Sequence, residues 1–185
     1  MKNRIHITTD GINIYSTLHV HASKVGIWLL SLFICIEITL FIFGLFNLEE
    51  LSFIDIFFPL IIAVAIFLGL PIAYLVWNIY GKEEIIINTK SVSWSYNYGF
   101  IKTNLNTVKF DRLATRYERI RDENEKELGR LIFYNYRNED NLPEVIHQTT
   151  VLVTKEDIVK LDQEISKLFE SEYLSDYNFI PFSEN

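Results

Sequence analysis

Glu37 stands near the middle of the run Val25–Phe46, VGIWLLSLFICIEITLFIFGLF, and is its only charge. An ionised carboxylate at the centre of a bilayer costs about 2.5–3.5 kcal/mol even on lenient insertion scales. Such a group faces something other than lipid or carries a proton. The chemistry open to it is an ion or proton site, or a link to a partner helix. The ordinary alternative is a neutral acid hydrogen-bonded to Thr39 or to a polar group of a neighbouring helix. Asp55 says less, because it opens a second apolar run, where the helix dipole favours an anion and water is close.

Two further groups of residues invite a chemical reading. His19 and His21 are two apart, so on one strand they would point the same way, as two metal ligands could. No third ligand is evident: His6 and His147 are isolated, and the one cysteine, Cys35, lies in the apolar run. We therefore expect no metal, no cofactor and no disulfide framework. Lys102, Lys109, Arg112, Arg116, Arg119 and Arg121 stand against Asp111 and Glu118, a local net of +4 (six basic, two acidic) in a chain whose 17 basic and 24 acidic residues sum to −7. Beside a bilayer, such a patch would gain about 1 kcal/mol per basic residue from anionic lipid. The ordinary alternative is a solvated face paired with the acidic stretch 122–127. Net acidity argues against general nucleic-acid binding. No P-loop, G-x-S-x-G, H-E-x-x-H or dinucleotide fingerprint occurs, so no enzyme is expected.

These residues sit on elements of two kinds. The chain is 49% hydrophobic and 22% charged, with the apolar surplus between Val25 and Tyr80, which excludes a fully soluble globule; 15% aromatics exclude disorder. At 1.5 Å per residue the run 25–46 covers roughly 33 Å, enough to cross a bilayer. A second run, 54–79, carries Pro59 and Pro71 and is long enough to cross with tilt. The seven residues between, 47–53, hold Glu49 and Glu50 but no Lys or Arg, which predicts a tight antiparallel hairpin spanning 24–80. Lys2, Arg4 and Lys24 before it and Lys82 and Lys90 after it place both termini on the cytoplasmic side. Trp28, Tyr74, Trp77 and Tyr80 gather toward the same ends, where amphipathic rings suit the headgroup level. A cleavable signal peptide is not expected, since 24 residues precede the span and no small-residue cleavage site is evident.

Outside 24–80 the pattern is that of a sheet. Ile5, Ile7, Ile12 and Ile14 alternate with polar residues around Asp10-Gly11, predicting a small hairpin within 1–23. Strands are expected at 83–88, 92–96 and 100–105, with a turn at 97–99, and further strands near 107–111, 115–121, 130–136 and 145–153; 122–127, ending near Gly129, reads as an exposed hairpin loop. Ile158, Leu161, Ile165, Leu168 and Phe169 share one helical face, and Thr154 with Asp157 forms a capping-box pattern, predicting a helix over 155–169 that closes the sheet domain 81–170. An acidic tail, 171–185, is expected to be loosely ordered.

A strand pair, two closely linked spans, the stretch Gly81-Lys82-Glu83 with Ile85 and Ile87, and a strand-rich segment ending in a helix together resemble small bacterial two-span membrane proteins with a pleckstrin-homology-like domain. The resemblance covers the chain to about Phe169. It implies an α+β fold, with the membrane hairpin inserted into a seven-stranded bent antiparallel sheet or barrel capped by the C-terminal helix. The resemblance implies little about activity beyond binding or scaffolding. The combination of spans and a sheet domain without a catalytic signature leads us to expect a non-enzymatic, multi-pass protein of the bacterial inner membrane, a scaffold that presents its cytoplasmic domain to a protein partner, to lipid or to a second copy of itself. The competing expectation is a small subunit of an ion- or proton-coupled transporter or channel using Glu37. Two helices are too few to enclose a pathway, so that role needs several copies or a larger partner.

Overall fold

The structure, a computed structural model, describes residues 4–46, 65–123, 126–171 and 179–180. The chain divides into two compact units, residues 21–81 and the combination of 1–20 with 82–185.

The first unit contains helix α1, Lys24–Phe46, then a π-helical turn, Ala65–Gly69, running into α2, Leu70–Tyr80. Among the described residues, Lys24–Gly44 is the one helix long and apolar enough to cross a membrane, and 6% of its most apolar window is buried within the protein. The expected second span is described only from Ala65, where Phe67–Tyr80 is apolar but shorter than a span; the expected turn at 47–53 lies outside the described residues. The hydroxyls on α1 are satisfied locally: Ser31 donates to the Ile27 carbonyl at 2.9 Å and Thr39 to that of Cys35 at 2.8 Å. This i−4 bonding is how a hydroxyl is carried in an apolar helix. Gly81 closes α2 by donating its N–H to Trp77 O at 2.8 Å. A Cβ at Gly81 would lie 2.2 Å from that oxygen and 2.5 Å from the indole, so only glycine fits.

The second unit is α+β. One antiparallel sheet runs β1 (Ile5–Thr9), β2 (Ile14–His19), β3 (Lys82–Ile87), β4 (Ser91–Asn97) and β5 (Asn106–Lys109), in that order. The first turn forms as the sequence predicts. Gly11 has φ +88°, and Asp10 Oδ1 accepts the N–H groups of Ile12 (2.9 Å) and Asn13 (2.6 Å). These bonds, that of Asn13 first, hold the Asp10 carboxyl well below the usual carboxylate range. Period two then sets the inner face: Ile14, Ser16 and Leu18 on β2 oppose Ile87, Ile85 and Glu83 on β3, which oppose Val92, Trp94 and Tyr96 on β4.

The second sheet is built on β6 (Leu113–Glu123) and β7 (Lys126–Tyr136), with β8 (Pro143–Gln148) and the short β9 (Val153–Thr154) pairing β7, and Phe179–Ile180 (β10) pairing β6 in parallel. Thr115, Phe133 and His147 form one row across it. Helix α3, Lys155–Ser171, extends two residues past the expected end. Thr154 Oγ1 accepts the Asp157 N–H at 3.2 Å, the cap that the sequence pattern promised. Ile158, Leu161, Ile165 and Leu168 are buried, and α3 touches β2 of one sheet and β6, β7 and β9 of the other. Each such side chain contributes about 1.5–3 kcal/mol by leaving water. Thr115 adds a polar anchor, donating to Asp162 Oδ1 at 2.9 Å.

Three expectations need correction. Residues 100–105 are not a strand; they form a loop with one isolated bridge, Lys102 to Asn97, because Phe100, Ile101 and Leu105 find no buried face. The hairpin loop expected at 122–127 is far shorter: Asp122, Glu123, Lys126 and Glu127 lie in the β6–β7 ladder. Gly129, read as the end of that loop, is a buried strand residue beside a bulge at Ile120, where Tyr117 covers it so closely that a Cβ would lie 2.4 Å from the ring and 2.3 Å from the Glu118 carbonyl. The polar stretch 137–150 contributes β8, and of the tail only Phe179–Ile180 falls within the described residues beyond α3.

Because β2 lies between β1 and β3, removing it strips a neighbour from Ile85 and Ile87. Residues 82–171 alone should therefore melt at a lower temperature than residues 4–19 joined to 82–171 by a short linker. Equal midpoints by circular dichroism would contradict the sheet order.

Candidate functional site

The residues that the sequence analysis singles out do not converge. Glu37 lies on α1, and its Oε2 is buried with no hydrogen-bond partner among the described residues. Thr39, expected as its neutral partner, donates to the Cys35 carbonyl instead. β2 ends at His19, so His21 does not share a strand with it, and among the described residues no group of three or more His, Cys, Asp or Glu is placed to hold a metal ion.

The basic residues are spread over the β4–β5 loop, β5, the β5–β6 connection and β6. Lys102 pairs with Glu84 at 2.5 Å; Arg119 with Asp122 at 2.5 Å and Glu127 at 3.3 Å; Arg121 with Glu123 at 3.5 Å. The hydrogen bond to Asp122 and the charges of Asp122 and Glu127 raise the Arg119 guanidinium further above its ordinary value. Arg112 donates to the Asn141 side-chain carbonyl. Lys109 and Arg116 have no ion-pair partner among the described residues. The solvated face paired with the acids of 122–127 is thus what Arg119 and Arg121 form, and only part of the local +4 faces outward unpaired. A groove of about 660 Å³ opens at the start of α3, crossed by the Lys126–Glu156 ion pair at 3.1 Å.

The polar cluster that the structure does assemble was not read from the sequence. The alternation that buries Ile85 and Ile87 also turns Glu83 inward, where its side chain is fully buried. Glu83 Oε1 meets His147 Nε2 at 2.6 Å, and Oε2 accepts the N–H groups of Thr150 (2.8 Å) and Val151 (3.2 Å). For an ionised Glu83 both oxygens are acceptors, which puts the donor role at this contact on Nε2. Trp94 stacks on the imidazole with centroids 4.3 Å apart and planes 18° apart; Phe133 lies at 6.3 Å on the same ring. Burial is the main cause raising the Tyr96 phenol above its ordinary value; the Glu83 charge adds to it, and a hydrogen bond to Thr150 opposes it. The cluster therefore joins β3 and β4 of the first sheet to β8 and the 149–151 turn of the second. It is a closed clasp, with no room for a substrate at the carboxylate. The signal that could have revealed it is the phase of β3: Ile87, Ile85 and Glu83 are two apart.

No family model matches the chain, and no curated protein matches it. The functional reading therefore rests on the molecule itself.

Leaving a buried hydrogen-bonding group unsatisfied costs about 1–3 kcal/mol. Glu83→Leu should accordingly lower unfolding stability by about 3 kcal/mol, because it orphans His147 Nε2 and two backbone N–H groups. The double variant Glu83→Leu/His147→Leu should lose less than the sum of the single variants. Strictly additive losses in urea titrations followed by tryptophan emission would show that the two side chains are not coupled.

Proposed function

We propose that this chain is a membrane-anchored, non-catalytic interaction protein whose sheet domain is pleckstrin-homology-like. The observation that carries the reading is the position of the apolar segment: α1 and α2 are inserted between β2 and β3, neighbouring strands of one sheet. Both chain connections to the apolar helices therefore leave from the interior strands of the sheet. A domain so tied is held at a bilayer surface in a limited set of orientations, which suits a module that presents a binding face. Two largely antiparallel sheets with a C-terminal amphipathic helix packed on both support the pleckstrin-homology-like assignment. The polar cluster inside it joins the sheets through the buried side chains of Glu83 and His147.

In this reading residues 25–46 and 54–79 both cross the bacterial inner membrane, and the basic residues before and after them keep both termini cytoplasmic. The candidate contact residues for lipid or a protein partner are Lys109, Arg112 and Arg116, the three of the basic set without an ion partner among the described residues; of these Arg112 is held by Asn141. Single-cysteine labelling in a Cys35→Ala background tests the topology. An impermeant reagent applied to intact cells should reach a cysteine replacing Asn47 and miss one replacing Ser183; the reverse pattern would overturn it.

The unpartnered Glu37 oxygen favours an intramembrane contact with a second helix, from another copy or another protein. It also supports the second reading, an ion- or proton-coupled transport subunit. The two part company in their variants. For an assembly contact, Glu37→Gln should largely preserve the complex and Glu37→Leu should weaken it by about 1 kcal/mol. For an ion pathway, both should abolish flux in proteoliposomes while leaving assembly intact, and that result would sink the scaffold reading. We expect no flux from the wild type.

A further inference from the structure

We propose that the β4–β5 loop, residues 98–105, is a membrane wedge whose Phe100 and Ile101 enter the headgroup–acyl boundary of the bilayer; the proposal rests on reading α1 as a membrane span. Phe100 is 64% exposed, Ile101 58% and Leu105 52%, and Tyr98 is exposed beside them. Four large apolar side chains within eight residues is a patch that calls for an apolar partner.

The loop that carries them is built, not slack. Tyr98 N–H donates to the Ile101 carbonyl at 2.8 Å, and Gly99, at φ +95°, donates its N–H to Asn97 Oδ1 at 2.9 Å. Below this tip, Thr103 N–H reaches the Tyr96 carbonyl at 2.8 Å while Tyr96 N–H reaches Thr103 Oγ1 at 2.9 Å. The left-handed conformation at Gly99 and these four bonds hold Phe100 and Ile101 at the turn's outer end. Ordering them in advance removes an entropic cost of insertion.

The occupant follows from the sheet register. His19 pairs with Lys82 and Lys82 with Asn97, so the last residue of β2, the first of β3 and the last of β4 form one row at one end of the sheet. The chain leaves that row from β2 toward α1, which begins at Lys24, and enters it at β3 directly after Tyr80 and Gly81. Residues 20–23 extend at most roughly 13–14 Å. The loop thus leaves the sheet from the same end as both covalent connections to the apolar helices, and those connections are short. Charge agrees: Lys102 and Lys82 flank Glu84 at 2.5 and 3.7 Å, two cations to one anion at this end, which suits anionic headgroups. The opposite end, formed by the β1–β2 turn, carries Asp10 and a single exposed Ile12. Aromatic and aliphatic side chains on a membrane-facing element enter about 5–10 Å into the interface.

The test uses the full chain in vesicles of phosphatidylcholine and phosphatidylglycerol. In a Cys35→Ala background, an environment-sensitive fluorophore is attached to a cysteine replacing Ile101, Ile12 or Leu40, and lipids spin-labelled near the headgroup or at mid-chain serve as quenchers. The Ile101→Cys probe should emit further to the blue and lose intensity to the shallow quencher. The Ile12→Cys probe, on an isoleucine at the far end that is more exposed still, should do neither. Adding Phe100→Ser should cut the quenching at position 101. If the probe at 101 behaves like that at 12 while the probe at 40 is quenched by the mid-chain label, the wedge is wrong and the membrane reading stands. Absence of quenching at 40 would overturn the span and the wedge together.

Discussion

A carboxylate taken out of water must be met by donors that replace its hydration, and Glu83 has three: the His147 imidazole and the backbone N–H groups of Thr150 and Val151. None belongs to the sheet that carries Glu83. The desolvation cost, several kcal/mol per ion in a folded protein, is offset only while both sheets keep their places. The consequence is geometric. An apolar contact between the sheets is non-directional, whereas a carboxylate met by three donors, beside an imidazole on which Trp94 stacks, favours one relative position. The clasp thus adds specificity to a core whose bulk stabilisation comes from Ile85, Ile87, Phe133 and the buried face of α3.

That position matters because the sheet has an unusual covalent history. Residues 20–81 are threaded out of it between two hydrogen-bonded neighbours, β2 and β3. Length alone penalises this little, since each doubling of a flexible connection costs only about 0.6 kcal/mol. The constraint falls instead on the elements that must find each other across the insertion. β1 and β2 form a local hairpin set by Asp10 and Gly11, but two strands alone are marginal in water. They gain their buried face from β3 and from α3, which touches β2 directly. The helix is therefore the last piece needed to enclose strands that come first in the chain.

How much of this was legible in the sequence depended on how local the cause was. The Asp10-Gly11 turn, the alternation in β2–β4 and the Thr154 cap are decided within a few residues, and each is found where the pattern placed it. Glu83 was obscured because Lys82-Glu83-Glu84 reads as a polar run, although the phase of Ile85 and Ile87 already turned it inward. His147 looked isolated because its partner is 64 residues away. Gly129 has the look of loop punctuation in the sequence; its actual cause, the Tyr117 ring on the paired strand, is a tertiary contact. The segment Phe100–Leu105 has strand composition without a surface to bury, which no single-chain pattern distinguishes from a real strand.

The basic residues show the same distinction in electrostatics. A count along the chain gave a local excess of positive charge, but the fold returns Asp122, Glu123 and Glu127 to Arg119 and Arg121 through the β6–β7 hairpin. Exposed pairs of this kind contribute little to stability, about 0–1 kcal/mol each, yet they cancel much of the field that a lipid surface would sense. Attraction by net charge is therefore a weak means of holding this domain at a membrane, the more so in a chain of net charge −7. In the membrane-anchored reading proposed above, what remains is apolar: the helix Lys24–Gly44 and the exposed side chains of the β4–β5 loop. Salt would screen an electrostatic anchor and leave an apolar one intact. The surface features of this protein are consistent with the second kind.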